Sequence, residues 1–301
     1  MTTRSHQTRL PVSDYDLAAT LVCGQAFRWR ETKGGWEGAI ANRWVRLRAE
    51  NNFIHAETVL PPGDWRWLVD YLQAELDLAA VLATFPDDEP MRASVAACRG
   101  LRLLRQEPWE CLASFILSST KQIVQIRQIV ELLCERFGSP LVTPADTHLR
   151  HAFPSAAQLA ASTEADLRAC KMGFRAPNLL AAARAVDSGE LDLNALQLLS
   201  AEEARERLVE LPGVGPKIAN CALLFAHGFQ EAFPVDVWVM KALRQLYFPK
   251  RAPTPERLRR FVETYFGPNA GYAQQYLFHY MRTRRISLEG SAPLPPPGRR
   301  R

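Results

Sequence analysis

The chain has 301 residues, with 37 Lys and Arg against 32 Asp and Glu, which gives a formal net charge of +5 at pH 7. This length predicts two domains or one large one, and the slight positive charge fits a polyanionic partner. No stretch reaches the ~20 apolar residues of a membrane span, and the polar first ten residues lack the apolar core of a secretory signal. We therefore expect a soluble cytoplasmic protein without a membrane partner.

The six cysteines are scattered along the chain. They stand at positions 23, 98, 111, 134, 170 and 221. No two of them have the C-x-x-C spacing, and no four are grouped, which argues against a structural zinc site or an iron–sulfur cluster. Free thiols of this kind are typical of a reducing compartment.

The first third of the chain predicts an antiparallel sheet. Between Phe27 and Leu60, aromatic and aliphatic residues are separated by turn signals at Lys33-Gly34-Gly35, Ala41-Asn42 and Glu50-Asn51-Asn52. Short strands with such turns between them form a meander. We therefore predict several short strands in this region.

Helical spacing follows the predicted meander. Leu68, Tyr71 and Leu72 repeat at helical intervals, and Trp109 to Phe137 is one long apolar-periodic run. Further helices are predicted near 155–170, 175–188, 201–210, 216–228, 236–247, 255–266 and 270–283. The fold is therefore predicted as α+β, with an N-terminal antiparallel sheet domain over residues 1–107 and a helical domain over 108–286. The Pro- and Arg-rich segment 287–301 is expected to be a disordered tail.

A glycine hairpin precedes one of the predicted helices, at Leu211-Pro212-Gly213-Val214-Gly215-Pro216-Lys217. Glycines let the backbone turn sharply, and a helix start presents free N–H groups to anions, so Gly213, Val214 and Gly215 are predicted to bind a phosphate. A proline fits the first helical position, which places Lys217 in the first turn. The positive end of the helix disfavours an ammonium there, and a neutral amine is a nucleophile.

Asp236 lies 19 residues after Lys217, at the start of another predicted helix. Each residue alone is ambiguous. A lysine behind such a hairpin is more often a phosphate contact than a nucleophile, and an Asp at a helix start is usually an N-cap. The pair is more specific, because two packed helices would bring an amine and a carboxylate to one cleft.

Together the hairpin and the aspartate resemble the helix–hairpin–helix, Gly-Pro-Asp motif of DNA glycosylases, in the branch with a catalytic lysine. Further segments resemble the 8-oxoguanine DNA glycosylase family, in family order from about Ser13 to about Arg284. These segments are Gly24–Trp29, Gly100–Gln106 with Glu110-Cys111, Ala113–Ser119, Gly173–Ala176 and Gly271–Gln274 with Leu277-Phe278. The resemblance implies a TATA-binding-protein-like N-terminal domain and no cofactor. The strand-rich N-terminal part separates the chain from the endonuclease III-like and adenine-mismatch branches.

The resemblance implies the following roles for the catalytic pair. Lys217 attacks C1′ of a nucleotide flipped out of the duplex and forms a Schiff base, and Asp236 caps its helix and stabilises the positive charge on the sugar.

The resemblance also implies a base pocket formed by four residues. Cys221, one helical turn after Lys217, and Phe278 would contact the two faces of the base. Gln274 would bind its edge, and the Gly24 carbonyl would accept the N7–H that distinguishes 8-oxoguanine from guanine. Taken alone, Cys221 and Phe278 would be ordinary core residues.

Residues that face the opposite strand depart from the family pattern. Phe174 matches the aromatic wedge that fills the gap left by the flipped base, and Arg175 matches a contact to the opposite cytosine. The gap-filling asparagine of the family is Thr120 here, and its second cytosine-reading arginine is Gln125. Trp238, at a separate position, stands where eukaryotic members have a phosphate-contacting histidine, and Asp-Val-Trp resembles the bacterial and archaeal branch. We therefore expect a less strict choice of opposite base.

The implied function is a bifunctional DNA glycosylase and AP lyase that removes 8-oxoguanine, and formamidopyrimidine-guanine, from double-stranded DNA. The resemblance also implies a monomer that acts on the bacterial nucleoid. The carbonyls of Val209, Leu211 and Val214 resemble a site for a structural, non-catalytic cation. Two alternatives stay open: a glycosylase of the same superfamily for another lesion, such as an oxidised pyrimidine, and a non-catalytic DNA-binding module that uses the hairpin only to hold phosphate.

Overall fold

The computed structural model describes residues 5–119, 121–251 and 253–289. Its N-terminal part is a five-stranded antiparallel sheet with the spatial order β1-β5-β4-β3-β2. The strands are β1 (His6–Pro11), β2 (Arg30–Thr32), β3 (Gly35–Ile40), β4 (Arg43–Glu50) and β5 (Phe53–Thr58). After this sheet the described ranges are helix and connecting loop, apart from an isolated antiparallel bridge between Pro140 and His151. The predicted α+β class, with an N-terminal antiparallel sheet before a helical domain, is confirmed.

Strand β1 was absent from the sequence prediction. It pairs with β5 from His6–Thr58 to Pro11–Phe53. Leu10 is the one residue of this edge strand that is buried, so the segment lacks the alternation of apolar residues that signals a strand. Its place is determined by pairing with a partner more than 40 residues away.

One face of the sheet packs on the helices that follow it. Trp29 lies at the centre of this contact, with 1% of its surface exposed, and its indole N–H donates to the Tyr71 hydroxyl at 2.9 Å. Leu47 and Ile54 from the strands and Leu68 from the first helix after the sheet complete this small core. A buried indole that has found an acceptor costs little, so the large ring contributes its full apolar area.

The helices build the rest of the molecule around one larger core. They are α1 (Leu17–Val22), α2 (Arg66–Leu72), α3 (Leu78–Leu82), α4 (Glu89–Ala97), α5 (Pro108–Leu117), α6 (Ile123–Phe137), α7 (Ala156–Ala160), α8 (Glu164–Leu167), α9 (Ala176–Asp187), α10 (Ala201–Val209), α11 (Pro216–Ala222), α12 (Val237–Leu246), α13 (Pro255–Tyr265) and α14 (Ala270–Glu289). A wider helical turn, Leu223–His227, continues α11. A large cluster of buried residues joins α5, α6, α9, α11, α12 and α14.

Two long helical predictions are wrong in detail. The run from Trp109 to Phe137 is two helices, α5 and α6, because α5 ends at a C-cap serine, Ser118, whose hydroxyl donates to the Phe115 carbonyl at 2.7 Å. The region predicted as one helix over 155–170 is also divided, into α7 and α8, since Thr163 caps the second of them.

Helix α14 is the last element of the described chain. It runs to Glu289, so its last three residues lie within the segment 287–301 that the sequence predicts as a tail, and residues 290–301 lie outside the described part. No helix of the described residues has the length and apolar character needed to span a membrane. All six cysteines are buried and unbridged.

Candidate functional site

A cleft of about 1390 Å³ opens between the junction of α5 with α6, the starts of α11 and α12, helix α14 and the loop around Gly24. Its floor is aromatic. Phe115 lies between two other rings, with its centroid 5.5 Å from that of Phe225 in a stacked arrangement and 5.6 Å from that of Phe27 edge-on. Asp236 is the single acidic residue among the described residues that line the cleft. The lining cations are Lys121, Lys217, Lys241, Arg244 and Arg282. Such a cleft attracts a polyanion.

The glycine hairpin between α10 and α11 leads directly into Lys217, which lines the cleft. Gly213 has φ +76°, and a Cβ there would lie 2.0 Å from Nδ2 of Asn178, so both the turn and the close approach require glycine. The Val214 N–H donates to the Leu211 carbonyl at 3.1 Å. Three positions are predicted to bind a phosphate, and one of them, Val214, therefore has its N–H engaged within the turn. Gly213 and Gly215 make no backbone hydrogen bond as donors to any described residue.

Lys217 is held over the aromatic floor. Its ammonium nitrogen donates to Oγ of Ser118 at 2.9 Å and lies 5.0 Å from the centroid of the Phe115 ring. The Ser118 hydroxyl in turn donates to the Phe115 carbonyl. Because its own proton is engaged there, the Ser118 oxygen accepts from the amine. The lysine is thus tied to the break between α5 and α6.

Asp236 occupies the N-cap of α12. Its carboxylate accepts from the backbone N–H groups of Trp238, at 2.9 Å, and Val239, at 2.8 Å. Burial raises the pKa of Asp236 above its usual range, although the two N–H donors and the charge of Lys217 oppose the shift. The side chain is therefore both a helix cap and a partly buried charge beside the amine.

Cys221, Gln274 and Phe278 line the same cleft as Lys217. Burial raises the pKa of the Cys221 thiol to about 11, against the opposing charge of Lys217, so the group is a neutral thiol near pH 7. Gln274 is 3% exposed, and its amide oxygen has no hydrogen-bond partner among the described residues. An unsatisfied buried acceptor costs about 1–3 kcal/mol and indicates a site for a donor.

The loop at Gly24 faces Phe278 across the cleft. Gly24 has φ +90°, and a Cβ on it would lie 2.9 Å from Cδ1 of Ile123 and 3.4 Å from Cε1 of Phe278. Only glycine fits this conformation and this spacing. The Gly24 carbonyl accepts no hydrogen bond from any residue in the described part of the chain. It is a second open acceptor, in the same cleft as that of Gln274.

Phe174 and Arg175 lie together beyond the cleft. The Phe174 ring is 61% exposed, and the Arg175 guanidinium lies 4.3 Å from its centroid. Arg175 is 2% exposed and donates to the carbonyls of Ser119 and, at 3.1 Å, Met172. Its guanidinium is thus engaged within the protein.

Thr120 lies outside the described residues. Gln125 is exposed near the start of α6, and its amide oxygen accepts from the Gln122 N–H at 3.1 Å. Trp238 lines the cleft, with the Lys241 ammonium 5.9 Å from its ring centroid. Gln125 therefore serves as a helix cap, a role that sequence reasoning did not assign.

Sequence reasoning also missed Ser118 and Arg282. Ser118 was noted only as part of a family segment, and its contact with Lys217 spans 99 positions. Arg282 lines the cleft on the same helix as Gln274 and Phe278. The spacing of 274, 278 and 282, at four-residue intervals on one helix face, is a signal that could have found it.

Comparisons with known proteins place the chain in a family. The family described as the 8-oxoguanine DNA glycosylase N-terminal domain matches residues 7–112, and the HhH-GPD superfamily of base excision DNA repair proteins matches residues 113–268. A probable N-glycosylase/DNA lyase of Methanothermobacter thermautotrophicus is 30% identical, over 91% of this chain and 96% of the relative. The chain belongs to the 8-oxoguanine DNA glycosylase family.

Two further relatives of this glycosylase extend the comparison. The N-glycosylase/DNA lyase OGG1 of Arabidopsis thaliana is 32% identical, over 90% of this chain and 78% of its own length. The 8-oxoguanine glycosylase/lyase of Clostridium acetobutylicum, solved with double-stranded DNA containing cytosine opposite 8-oxoguanine, is 30% identical with a TM-score of 0.86, over 95% of this chain and 99% of that one. The family resemblance noted in the sequence is thereby confirmed.

Proposed function

We propose that this protein, a DNA N-glycosylase with lyase activity in base excision repair, removes 8-oxoguanine and formamidopyrimidine-guanine from duplex DNA and then nicks the strand. One observation carries the choice of base. Two unpartnered acceptors, the Gly24 carbonyl and the Gln274 amide oxygen, lie in the cleft that holds Lys217. An oxidised guanine offers matching donors, because it has N–H groups on its Watson–Crick edge and an added N–H at N7.

The nucleophile in this proposal is Lys217. Its neutral amine attacks C1′ of the flipped nucleotide, the bond from C1′ to the base breaks, and the base leaves with the bonding electron pair. Loss of a proton from nitrogen and opening of the sugar ring give a Schiff base. Removal of a proton from C2′ then expels the 3′ phosphate by β-elimination. Ser118 supports the first step, since its oxygen holds the amine over the floor of the cleft.

The carboxylate of Asp236 stabilises the positive charge that develops on the sugar as the base leaves. Its two backbone hydrogen bonds fix it at the start of α12, so it needs little reorganisation during the reaction. Burial strengthens its interaction with a nearby positive charge, because the local dielectric is lower than that of water.

The base lies between Cys221 and Phe278 in this proposal. A neutral thiol is a soft apolar surface that packs well against a ring, and the phenyl group offers a stacking face. Gln274 accepts from the Watson–Crick edge, and Gly24 accepts N7–H. Undamaged guanine presents a lone pair at N7, which the Gly24 carbonyl repels. A site that binds a donor in this way strongly rejects an analogue without it.

Duplex binding uses the positive rim and the hairpin. The N–H groups of Gly213 and Gly215 and the start of α11 hold a phosphate, and Phe174 fills the space that the flipped base leaves. Since one chain holds every candidate residue, we infer that it acts as a monomer, in the cytoplasm at the nucleoid. The Leu211 carbonyl accepts one hydrogen bond, so its second lone pair is available to a cation shared with the carbonyls of Val209 and Val214.

A single set of assays tests the proposal. Duplexes that carry 8-oxoguanine opposite each of the four bases, an oxidised pyrimidine, or no lesion are incubated with the protein, with and without borohydride. We expect base release, strand cleavage and a borohydride-trapped covalent complex with the 8-oxoguanine duplexes. Release of the oxidised pyrimidine alone would support the other superfamily glycosylase, and binding without cleavage or trapping would support the non-catalytic module.

A further inference from the structure

The carbonyl of Gly24 accepts no hydrogen bond from the described residues, but the adjacent backbone carbonyls do accept one each. The amide of Gln275, a residue that is 3% exposed, donates to the Cys23 carbonyl at 3.1 Å. The guanidinium of Arg282 donates to the Val22 carbonyl at 3.2 Å. Both donors belong to α14, so the last helix of the described chain holds the two carbonyls that precede the glycine.

A third donor holds the other side of the loop. The amide of Gln106, which lies just before α5, donates to the Gln25 carbonyl at 2.8 Å. The backbone N–H of Gln106 donates to the Phe225 carbonyl in the aromatic floor, so this residue is itself fixed. Of the four consecutive carbonyls from Val22 to Gln25, only that of Gly24 is left without a donor among the described residues.

The side chain of Gln25 also holds this loop, from within the protein core. It is fully buried, its amide nitrogen donates to the carbonyls of Thr20 and Arg102 at 2.8 Å each, and its amide oxygen accepts from the Leu104 N–H at 2.8 Å. The loop is therefore bound on its backbone and on its side chain, and its geometry is fixed at every residue around Gly24.

We propose that Gln106, Gln275 and Arg282 are positioning residues that aim the Gly24 carbonyl and thereby determine how strongly the enzyme rejects undamaged guanine. This inference rests on the proposed role of Gly24 in reading N7. The three side chains do not themselves read N7; they act through the backbone of the loop.

The physical reason is that acceptance and rejection depend on the same fixed oxygen. A carbonyl that is free to turn would still find the N7–H of 8-oxoguanine, but it would also turn away from the lone pair of guanine and so relieve the repulsion. A carbonyl held by its neighbours cannot relax in this way, and the wrong base meets the full repulsion. Removing a donor should therefore weaken discrimination more than it weakens the chemistry at the sugar.

The test replaces Gln275 or Gln106 by Met, which keeps the length of the side chain and removes the donor. Dissociation constants for duplexes with 8-oxoguanine or guanine opposite cytosine are measured in a Lys217→Gln background, so that no turnover occurs. We expect the ratio of the two constants to fall by roughly threefold to tenfold for each change, the range that corresponds to one hydrogen bond. The double variant should fall further.

Tyr276→Phe is the matched control. Tyr276 is the neighbour of Gln275 on α14, and its hydroxyl donates to the Leu101 carbonyl at 3.1 Å, so the change also removes a bond from α14 to a backbone carbonyl but leaves the loop untouched. Its discrimination ratio should equal that of the parent. In proteins that retain Lys217, cleavage of a preformed abasic site reports the chemistry alone, and Gln275→Met and Gln106→Met should keep it within about twofold.

The outcomes separate the two proposals. If the parent protein does not distinguish 8-oxoguanine from guanine, the base-reading role of Gly24 fails, and the positioning role fails with it. If the parent distinguishes them and the Met variants do so equally well, only the positioning role is wrong. If discrimination and abasic-site cleavage fall together, or Tyr276→Phe lowers discrimination to the same extent, the three side chains stabilise the fold and do not aim the carbonyl.

Discussion

The two walls of the cleft are built in different ways. On the wall to which we assign the chemistry, Asp236 accepts from backbone groups two and three residues away, and Lys217 takes its place from the helix that its own hairpin begins. On the wall to which we assign the reading of the base, the loop at Gly24 is held by donors 81, 252 and 260 positions away in the chain. The first wall is built mainly by local sequence, with one distant contact from Ser118 to Lys217, whereas distant donors hold the second.

This difference has a functional meaning. A catalytic amine and carboxylate need correct placement relative to a sugar, which every nucleotide presents in the same way. A base reader must hold one oxygen against a repulsive contact, and this requires support from several elements. We therefore expect changes on the chemical wall to reduce rate for every substrate, and changes on the reading wall to alter the ratio between substrates.

The largest effect should come from Lys217→Gln. An amide cannot attack C1′ or form an imine, so base release and strand cleavage should fall to background while lesion DNA is still bound, since the hairpin is unchanged. Single-turnover assays, borohydride trapping and a binding titration measure the three properties. Residual cleavage by the variant that can still be trapped would show that another amine performs the reaction.

Asp236→Asn should have the next largest effect on rate, a loss on the order of 10²-fold or more, because Asn caps a helix as well as Asp does but carries no charge. The same substitution, which lowers the rate, should raise the stability of the folded protein at neutral pH. Burial raises the folded pKa of Asp236 above the unfolded value, so the wild type loses stability as pH rises from below the unfolded pKa through the folded one.

The asparagine variant lacks this loss. Its melting temperature relative to wild type should therefore increase with pH across that window and stay at its higher value at neutral pH. Thermal melts of both proteins at several pH values check the sign. A variant that melts well below wild type at neutral pH and keeps near-normal activity would show that the carboxylate is structural only.

Ser118→Ala should reduce the rate of base release by about tenfold, because the amine loses the acceptor that holds it over Phe115. The loss should appear in the single-turnover rate and not in the affinity for DNA, and Ser118→Thr, which keeps the hydroxyl, should recover part of it. The neighbouring Ser119→Ala keeps its carbonyl for Arg175 and serves as the control. Equal losses in both alanine variants would argue against a specific role for Ser118.

The smallest effect concerns the opposite base. This chain has Thr120 and Gln125 where the family has an asparagine and an arginine. We therefore expect it to remove 8-oxoguanine opposite adenine or thymine more readily than a family member that carries both of those residues. Restoring Thr120→Asn and Gln125→Arg together should increase the preference for cytosine by about fivefold or more, since one bidentate contact is worth ~1–3 kcal/mol. Single-turnover rates with each opposite base measure this preference.

The double substitution should also lower the stability of the protein. Gln125 caps α6 through the Gln122 N–H, so an arginine there should also lower stability slightly. Thr120→Asn alone leaves this cap intact and is the control. An unchanged preference in the double variant would show that other residues read the opposite base.

The sequence predicted the fold class and the helix starts that hold Lys217 and Asp236, because these signals are local. A Gly-x-Gly-Pro turn, a Pro at the first helical position and an Asp before a helix each act within a few residues. The edge strand β1, the break at Ser118 and the buried state of Arg175 were not predictable in this way. The strand depends on pairing with distant residues such as Thr58, and the arginine is held by Ser119, 56 positions away. The break at Ser118 is a local cap, but Ser118 lies inside an apolar run whose spacing continues through it.

Helix α14 has a consequence for how the enzyme is made. It is the last helix of the described chain to leave the ribosome, and it brings both the base-reading Gln274 and the donors that hold the loop at Gly24. Its Tyr272 and Tyr276 are also buried in the core and bonded to the segment at residues 101–103. A chain that ends before α14 would therefore contain Lys217 but lack Gln274, two donors to the loop at Gly24 and two aromatic rings of the core. The structure thus couples the proposed reading of damage to completion of the core, since both depend on α14.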